Sequence, residues 1–313
     1  MVIEAPLCSP RSVPLAPFGA HRMTIRTAAS PITVDRLSAL LDRFRVRARL
    51  FHQGALCGVS HFDAHPGRGF LHLLRRGPLD IRHACGSGAP ERLLLTEPSL
   101  MFYPRPLWHE FRNPPRDGGD FACATVELEG GERNPLSRAL PPLLVLPLAR
   151  VEGLEGALTL LFAETDRLRC GSRLLADRLF EVVLIQLLRW LIDHPEEAGT
   201  PVGLLAGLAH PRLAQALVAM HEAPGAPWSL EGLAAVAGMS RTAFSNTFRD
   251  RVGQTAAAYL ADWRIGLAAA ELRSGRDQKS VARELGYGSA SALSRAFKQR
   301  LGSSPKAWSC SRV

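Results

Sequence analysis

The chain has 313 residues, of which 46% are hydrophobic and 21% are charged, and its formal net charge is +9 at pH 7. These proportions are ordinary for a globular protein and exclude a disordered or fibrous chain. A chain of this length is expected to form two domains, each with its own core. No apolar run approaches the roughly eighteen residues that would cross a bilayer, so the sequence predicts no membrane span.

The positive charge is concentrated in the last third of the chain. Residues 209–313 hold 14 Lys and Arg against 7 Asp and Glu, a net of +7, whereas the preceding 208 residues carry a net of +2. A basic module joined to a near-neutral one is typical of proteins that bind nucleic acid. The alternative is a basic surface that serves only solubility.

The first thirty residues contain several prolines and no continuous apolar segment. They therefore predict a loose N-terminal tail over residues 1–30 rather than a signal peptide, and a cytoplasmic protein. Translation from Met23 instead of Met1 is an open alternative.

Residues 32–135 are typical of short β-strands. Apolar segments are separated by Gly and Pro clusters, which favours a β-sandwich or a β-barrel. The segments are Gly69–Leu74, Arg92–Leu95, Leu100–Tyr103 and Phe121–Val126.

The periodicity changes between Ser172 and His194, where apolar residues recur every three or four positions. This spacing predicts a long amphipathic helix that ends at Pro195. The helix is a candidate surface for a homodimer, and packing against its own domain is the alternative. Residues 196–207, which include Gly199 and Pro201, are predicted to form a linker.

An internal repeat dominates the helical part, residues 208–313. Each copy has a small Ala, a Gly suited to a left-handed turn, a Ser suited to cap a helix, and two large apolar residues one turn apart. The first copy is Ala234, Gly238, Ser240, Phe244 and Phe248, and the second is Ala282, Gly286, Ser289, Leu293 and Phe297. The pattern predicts two helix-turn-helix units.

In each unit the second helix exposes one polar face, which would enter the major groove of DNA. The candidate DNA-binding residues are Arg241, Thr242, Ser245, Asn246 and Arg249 in the first unit, and Ser289, Ser291, Ser294, Arg295 and Lys298 in the second. Arg295 suits a guanine edge and Asn246 an adenine, whereas Arg249 and Lys298 suit phosphates. A solvated helix face is the alternative for any one of these residues.

A single helix is predicted between the units, from Ala257 to Arg273. Seventeen residues span about 26 Å in a helix. Such a spacer would hold two recognition helices about one turn of DNA apart, near 34 Å.

The segment from Trp228 to Trp308 resembles the DNA-binding domain of AraC/XylS-type transcription regulators. The resemblance is strongest from Gly286 through Lys298 and on to Gly302-x-Ser304-Pro305. It differs at Leu293, where Phe is usual, and at Asn246, where Arg is usual. The resemblance implies promoter binding, with double-stranded DNA and RNA polymerase as partners.

The N-terminal half is similar to the cupin-like effector domain that some of these regulators carry. The spacing Pro98-x5-Pro104-x-Pro106-x2-His109-x3-Asn113 follows the second cupin motif. The resemblance implies a domain that binds a small effector or senses a chemical signal. His72 and His109 are the candidates for the effector pocket.

Histidines also raise the possibility of a metal site, because neutral imidazoles are good ligands. His61, His65, His72 and His109 fall on or near predicted strands, but no carboxylate follows at the spacing of the first cupin motif. We therefore expect no metal, no cofactor and no enzymatic activity. The rival hypothesis is a metal-dependent cupin-type enzyme fused to a DNA-binding module.

The six cysteines show no CxxC pair and no zinc-finger spacing, so they are expected to be free thiols. Cys57, Cys85 and Cys123 are candidates for a redox switch, and buried, inert thiols are the alternative.

Together these features predict an α+β two-domain protein. An N-terminal cupin-like β-barrel is followed by an all-α domain with two helix-turn-helix units. The predicted boundaries are 1–30 for the tail, 31–195 for the effector domain with its C-terminal helix, 196–207 for the linker and 208–313 for the DNA-binding domain.

Overall fold

Nine antiparallel strands form the N-terminal half in the computed structural model, which describes residues 34–114, 118–131, 134–167 and 169–310. The predicted tail, residues 1–30, lies outside the described residues. The strands are β1 (Val46–Leu56), β2 (Val59–Phe62), β3 (Arg68–Arg76), β4 (Leu79–His83), β5 (Arg92–Leu95), β6 (Ser99–Tyr103), β7 (His109–Arg112), β8 (Gly119–Leu128) and β9 (Leu144–Pro147). The four strands expected from the apolar segments correspond to β3, β5, β6 and β8.

The strands form two sheets and not the closed barrel that was predicted. One sheet has the order β1-β8-β3-β6-β9 and the other has the order β2-β7-β4-β5, and in the described residues no ladder joins them. Phe70, Met101 and Phe121 of the first sheet pack against Phe62 and Phe111 of the second. Short alternating strands suit a sandwich and a barrel equally, because closure depends on pairing between strands that are distant in sequence.

Twelve helices lie among and after the strands in the described residues. They are α1 (Ser38–Arg43), α2 (Pro135–Ala139), α3 (Leu154–Asp166), α4 (Ser172–Asp193), α5 (Leu204–Ala209), α6 (Pro211–Glu222), α7 (Leu230–Val236), α8 (Arg241–Val252), α9 (Ala256–Arg273), α10 (Gln278–Glu284), α11 (Ala290–Leu301) and α12 (Pro305–Cys310). The long helix expected from Ser172 is α4, and α5 begins inside the predicted linker.

Helix α4 packs along β1, the edge strand of the five-stranded sheet. Two of its carboxylates accept hydrogen bonds from the outer edge of that strand. The Leu50 N–H donates to Asp177 Oδ1 at 2.6 Å and the Ala48 N–H donates to Glu181 Oε1 at 3.4 Å. These side chains satisfy backbone donors that an edge strand otherwise leaves open.

One hydrophobic core runs from the five-stranded sheet through α3, α4 and α5 into the C-terminal helices. Phe44, which follows α1, contacts Trp263 of α9 edge to face, with ring centroids 5.0 Å apart. Arg36 also joins the halves, because its guanidinium donates to the Leu208 carbonyl and to Asp193. Burial of apolar surface therefore stabilises the contact between the sheet and the helices.

Candidate nucleic-acid interface and buried histidine cluster

The first predicted helix-turn-helix unit corresponds to α7 and α8. Gly238 takes a φ of +60° in the turn, a conformation that side chains with a Cβ rarely adopt. The Ser240 hydroxyl then accepts a hydrogen bond from the Ala243 N–H at 3.3 Å and caps α8. Phe244 and Phe248 are fully buried and fix α8 to the core.

The second predicted unit corresponds to α10 and α11, whose turn and cap have the same local geometry. Gly286 has a φ of +76°, and a Cβ on it would lie 2.5 Å from the Gly225 carbonyl oxygen, so only glycine fits. The Ser289 hydroxyl accepts from the Ala292 N–H at 3.1 Å. Leu293 and Phe297 are fully buried. The two second helices have the same length, 12 residues, and each ends at a glycine with positive φ.

The polar faces of α8 and α11 are open to solvent. Eight of the ten predicted DNA-binding residues are exposed, and Ser245 and Ser294 are half-buried. The local geometry therefore leaves both faces free to contact a ligand, because the apolar residues of each helix are turned toward the core.

Three predicted contact residues already have partners within the described residues, and one of them is Ser289, whose hydroxyl caps α11. Arg241 forms an ion pair of 3.1 Å with Glu231 of α7, and both side chains are well exposed. The Ser294 hydroxyl accepts a hydrogen bond of 2.7 Å from the Gln278 side chain amide. Neither Glu231 nor Gln278 was identified from the sequence, because only spacing along the second helix was considered.

Helix α9 separates the two units and has 18 residues, which corresponds to about 27 Å. Its Trp263 is buried and stacks on His221 at 4.0 Å between ring centroids, and His221 shares a hydrogen bond of 2.6 Å with the Tyr259 hydroxyl. Burial lowers the pKa of His221 to about 3, so this histidine is neutral. The spacer is therefore anchored along its length by packed aromatic rings.

The two predicted effector-pocket histidines meet inside the sandwich. Both are fully buried, and His72 Nε2 lies 3.0 Å from His109 Nε2. The His109 Nδ1–H donates to the Leu107 carbonyl at 2.9 Å, so its Nε2 accepts and His72 Nε2 must donate. This leaves His72 Nδ1 as an acceptor that has no partner in the described part of the chain.

His83 and Tyr103 complete this histidine cluster. His83 lies opposite His109 in the β4–β7 register, and its Nε2 accepts from the Tyr103 hydroxyl at 3.0 Å. The Tyr103 ring stacks on His109 with centroids 4.0 Å apart. Of His83 and His109, the sequence motif identified only His109. The spacing of residues along the chain does not reveal that β4 pairs with β7.

Burial keeps the cluster neutral. It lowers the pKa of His72 well below its usual range, and it lowers the pKa of His109 to about 3 against an opposing hydrogen bond to the Leu107 carbonyl. Burial also lowers the pKa of His83 and raises that of Tyr103. The cluster thus has donors and acceptors but no charge at neutral pH.

The histidine cluster does not fit a metal ion. The facing nitrogens of His72 and His109 are hydrogen-bonded to each other, and the facing nitrogen of His83 is bonded to Tyr103. No group of three or more His, Cys, Asp and Glu residues suited to a metal occurs in the described ranges. His61 was another histidine considered for a metal site, and its Nδ1 instead lies 3.3 Å from Glu110 Oε2.

The three redox candidates differ in their surroundings. Cys57 and Cys85 are exposed, whereas Cys123 is fully buried in β8. Burial raises the pKa of the Cys123 thiol, the opposite of what a reactive thiolate needs. A redox role for Cys57 and Cys85 stays a prediction.

No helix within the described residues is long and apolar enough to cross a membrane. The longest, α4, has 22 residues and carries Asp177, Arg178 and Glu181.

Comparison with known proteins finds the same two parts. The cupin family model matches residues 35–193, just over half of the chain, and a helix-turn-helix domain model matches residues 233–310. Each match falls on one of the two halves described above.

Three relatives are similar to between 55% and 60% of this chain. The chain is 38% identical to an AraC-like transcription regulator of Streptomyces antibioticus over 60% of this chain and 61% of the relative. It is 39% identical to one of Streptomyces lividans over 60% of each chain. It is 35% identical to the transcriptional regulator AlkR of Acinetobacter baylyi over 55% of this chain and 57% of the relative.

The chain thus covers about three-fifths of the length of each of these relatives. The chain belongs to the cupin family, and a helix-turn-helix domain follows its cupin domain.

Proposed function

We propose that this chain is a sequence-specific DNA-binding transcription regulator whose α8 and α11 are the recognition helices of two helix-turn-helix units. The observation that carries the proposal is the structural repeat of glycine turn, serine cap and buried apolar pair, each copy of which leaves one polar face exposed. The net charge of +7 over residues 209–313 supports it, because phosphate contacts supply much of the affinity for DNA.

Within each face we assign different tasks to different residues. Asn246 and Arg295 are exposed and have the functional groups for an adenine and a guanine edge. Arg249 and Lys298 lie one turn further along and suit phosphates. Arg241 would have to leave Glu231 to contact DNA, so we expect it to contribute least.

The two units would engage one operator together. Helix α9 spans about 27 Å, and successive major-groove segments on one side of a duplex are about 34 Å apart. Because α9 is anchored by Trp263 and Tyr259, the separation of the units is fixed rather than variable.

An enzymatic role has less support. The three relatives are all named as transcription regulators, and the described residues contain no group of ligands suited to a metal. The cupin-type enzyme fused to a DNA-binding module is therefore not the function we propose.

Three partners stay proposals: a small effector of the cupin domain, a second copy of the chain, and RNA polymerase. The neutral histidine cluster supports the first, because His72 Nδ1, which has no hydrogen-bond partner among the described residues, can accept one from a ligand. Leu174, Leu175 and Val182 are exposed on α4 and support the second. The family resemblance alone supports the third, and the proposed location is the cytoplasm.

The proposal is tested by selecting bound duplexes from a random DNA pool with the full chain. We expect one enriched site with two elements about ten base pairs apart. Asn246→Ala should relax the preference in one element and Arg295→Ala in the other, whereas the exposed control Arg173→Ala on α4 should change neither. Failure to enrich any sequence contradicts the proposal, and a single element that only the α11 variant affects limits recognition to one unit.

A further inference from the structure

A basic groove lies between the end of the sandwich and the end of helix α9. Its volume is about 440 Å³, which is within the range of small-molecule sites. Six charged residues line it together with uncharged neighbours. They are Arg45, Arg47, Arg68, Arg273, Glu127 and Glu129. We call this surface the arginine groove.

Strand geometry explains why these side chains converge. Alternate residues of a strand point to the same face, and cross-strand partners lie side by side. Arg47 and Arg68 both pair with Glu127, from either side of β8, so the three form one row across the sheet. Arg273, the last residue of α9, reaches the groove from the helical half and lies 4.7 Å from the centre of the Trp308 ring.

The charges in the arginine groove are not balanced. None of the four guanidinium groups forms an ion pair with another side chain of the described residues. Five sheet arginines outside the groove do so, among them Arg75 and Arg76 with Asp120 and Arg92 with Asp80, whereas Arg49 of β1 forms no ion pair with a described residue.

The two glutamates do not neutralise the groove. The Glu129 carboxylate accepts a hydrogen bond of 3.3 Å from the Arg45 backbone N–H rather than from a guanidinium group. Glu127 has an arginine on either side of it and carries one charge. Among the described residues, four positive charges therefore face two negative ones, and like charges gathered in a concave site attract an anion.

We infer that the arginine groove binds a small anion that carries two or more negative charges, of the class of phosphorylated metabolites. Guanidinium groups donate two parallel hydrogen bonds to phosphate oxygens, which suits several arginines around one ligand. Such a ligand would join β1 and β3 to α9, so it would stabilise the contact between the two halves.

Phosphate groups could also come from DNA, and the position of the groove favours the free anion. The groove is lined by residues of the sheet, its adjoining loops and the end of α9, and no residue of α8 or α11 lines it. The inference does not rest on the proposed recognition of DNA, because it concerns side chains outside α8 and α11.

Calorimetric titration of the full chain tests the inference, with inorganic pyrophosphate and inorganic triphosphate as probes in the absence of DNA. We expect one saturable site per chain, with triphosphate the tighter probe. Arg47→Gln and Arg273→Gln should each weaken binding about tenfold or more, because each removes a charged hydrogen-bond donor. The same probes should raise the melting temperature of the parent chain and raise that of these variants less.

Two controls separate the groove from other basic surfaces. Arg173→Gln, on the exposed start of α4, and Arg295→Gln, on the recognition face of α11, should leave probe binding unchanged. The inference is overturned if neither probe binds saturably, or if Arg173→Gln weakens binding as much as Arg47→Gln. It is equally overturned if only Arg295→Gln abolishes binding, since that result would place the anion on the DNA-binding face.

Discussion

The two halves of the molecule differ in where most of their candidate functional polar side chains lie. The sandwich buries His72, His83 and His109 without charge and pairs them with one another, with Tyr103 or with backbone carbonyls. The helical half exposes most of the predicted contact residues of α8 and α11, although it also buries the neutral pair His221 and Tyr259. Changes in the sandwich interior should therefore alter stability, whereas changes on the helical surface should alter binding. The loss in free energy of unfolding on removing a polar group therefore depends on whether water can hydrogen-bond to the group that is left behind.

Acidification should have the largest effect on the free energy of unfolding. It acts on buried histidines of both halves, His109 in the sandwich and His221 in the helical half. His109 and His221 have pKa values of about 3 when folded, against about 6.5 when unfolded. Below about pH 6.5 the unfolded chain therefore binds protons that the folded chain cannot, and the free energy of unfolding falls as pH falls. Each group contributes about 1.4 kcal/mol per pH unit, or about 4 kcal/mol for both between about pH 7.5 and 5.

Urea unfolding at several pH values measures this dependence. His221→Phe should reduce the slope by about 1.4 kcal/mol per pH unit because it removes one of the buried neutral histidines. His65→Asn, at an exposed position, is the control and should leave the slope unchanged. An unchanged slope in His221→Phe would contradict the assignment of a buried neutral histidine.

Removing the acceptor of the buried pair should have the next largest effect. His109→Ala leaves the imidazole N–H of His72 unpaired and opens a void beside Tyr103, and we expect a loss of about 3 kcal/mol in the free energy of unfolding. Chemical denaturation at neutral pH measures it. Operator affinity of the folded variant should stay within about twofold of the parent, and a selective loss of DNA binding would break the contrast between the halves.

Arg295→Ala should show the reverse behaviour. Its side chain is exposed, so the free energy of unfolding should change by less than about 0.5 kcal/mol. Specific DNA affinity should fall by about 1–3 kcal/mol with relaxed preference at one base pair. Competition between operator and random duplex gives the measurement, and equal loss on both duplexes would show that Arg295 does not read a base.

Lys298→Ala should have the smallest effect. We expect it to weaken binding to all sequences alike, because a lysine that contacts phosphate carries no sequence information. The slope of log affinity against log salt should become shallower by about one unit. Titrations at several salt concentrations decide the point, and a slope equal to that of the parent would remove Lys298 from the phosphate contacts.

Sequence reasoning succeeded where the signal is local. The helix between the units was expected from Ala257 to Arg273 and runs from Ala256 to Arg273. The capping roles of Ser240 and Ser289 are also confirmed, because a cap needs only a hydroxyl and the N–H three residues later.

The sandwich was less predictable because its contacts are distant in sequence. His83 and His109 become neighbours through the β4–β7 register, and the arrangement of two sheets replaces the predicted barrel. The arginine groove needs Arg47 of β1 and Arg273 of α9, which no spacing relates. Tertiary pairing, rather than residue type, decides these features.

The two acidic side chains of α4 that cap β1 have a consequence for assembly. An open edge strand is a template onto which a strand from another chain can add, which leads to aggregation. Asp177 and Glu181 occupy the donors that such a strand would use, and they repel a backbone whose carbonyls approach them. Copies of the chain are thereby hindered from joining their sheets through this part of β1.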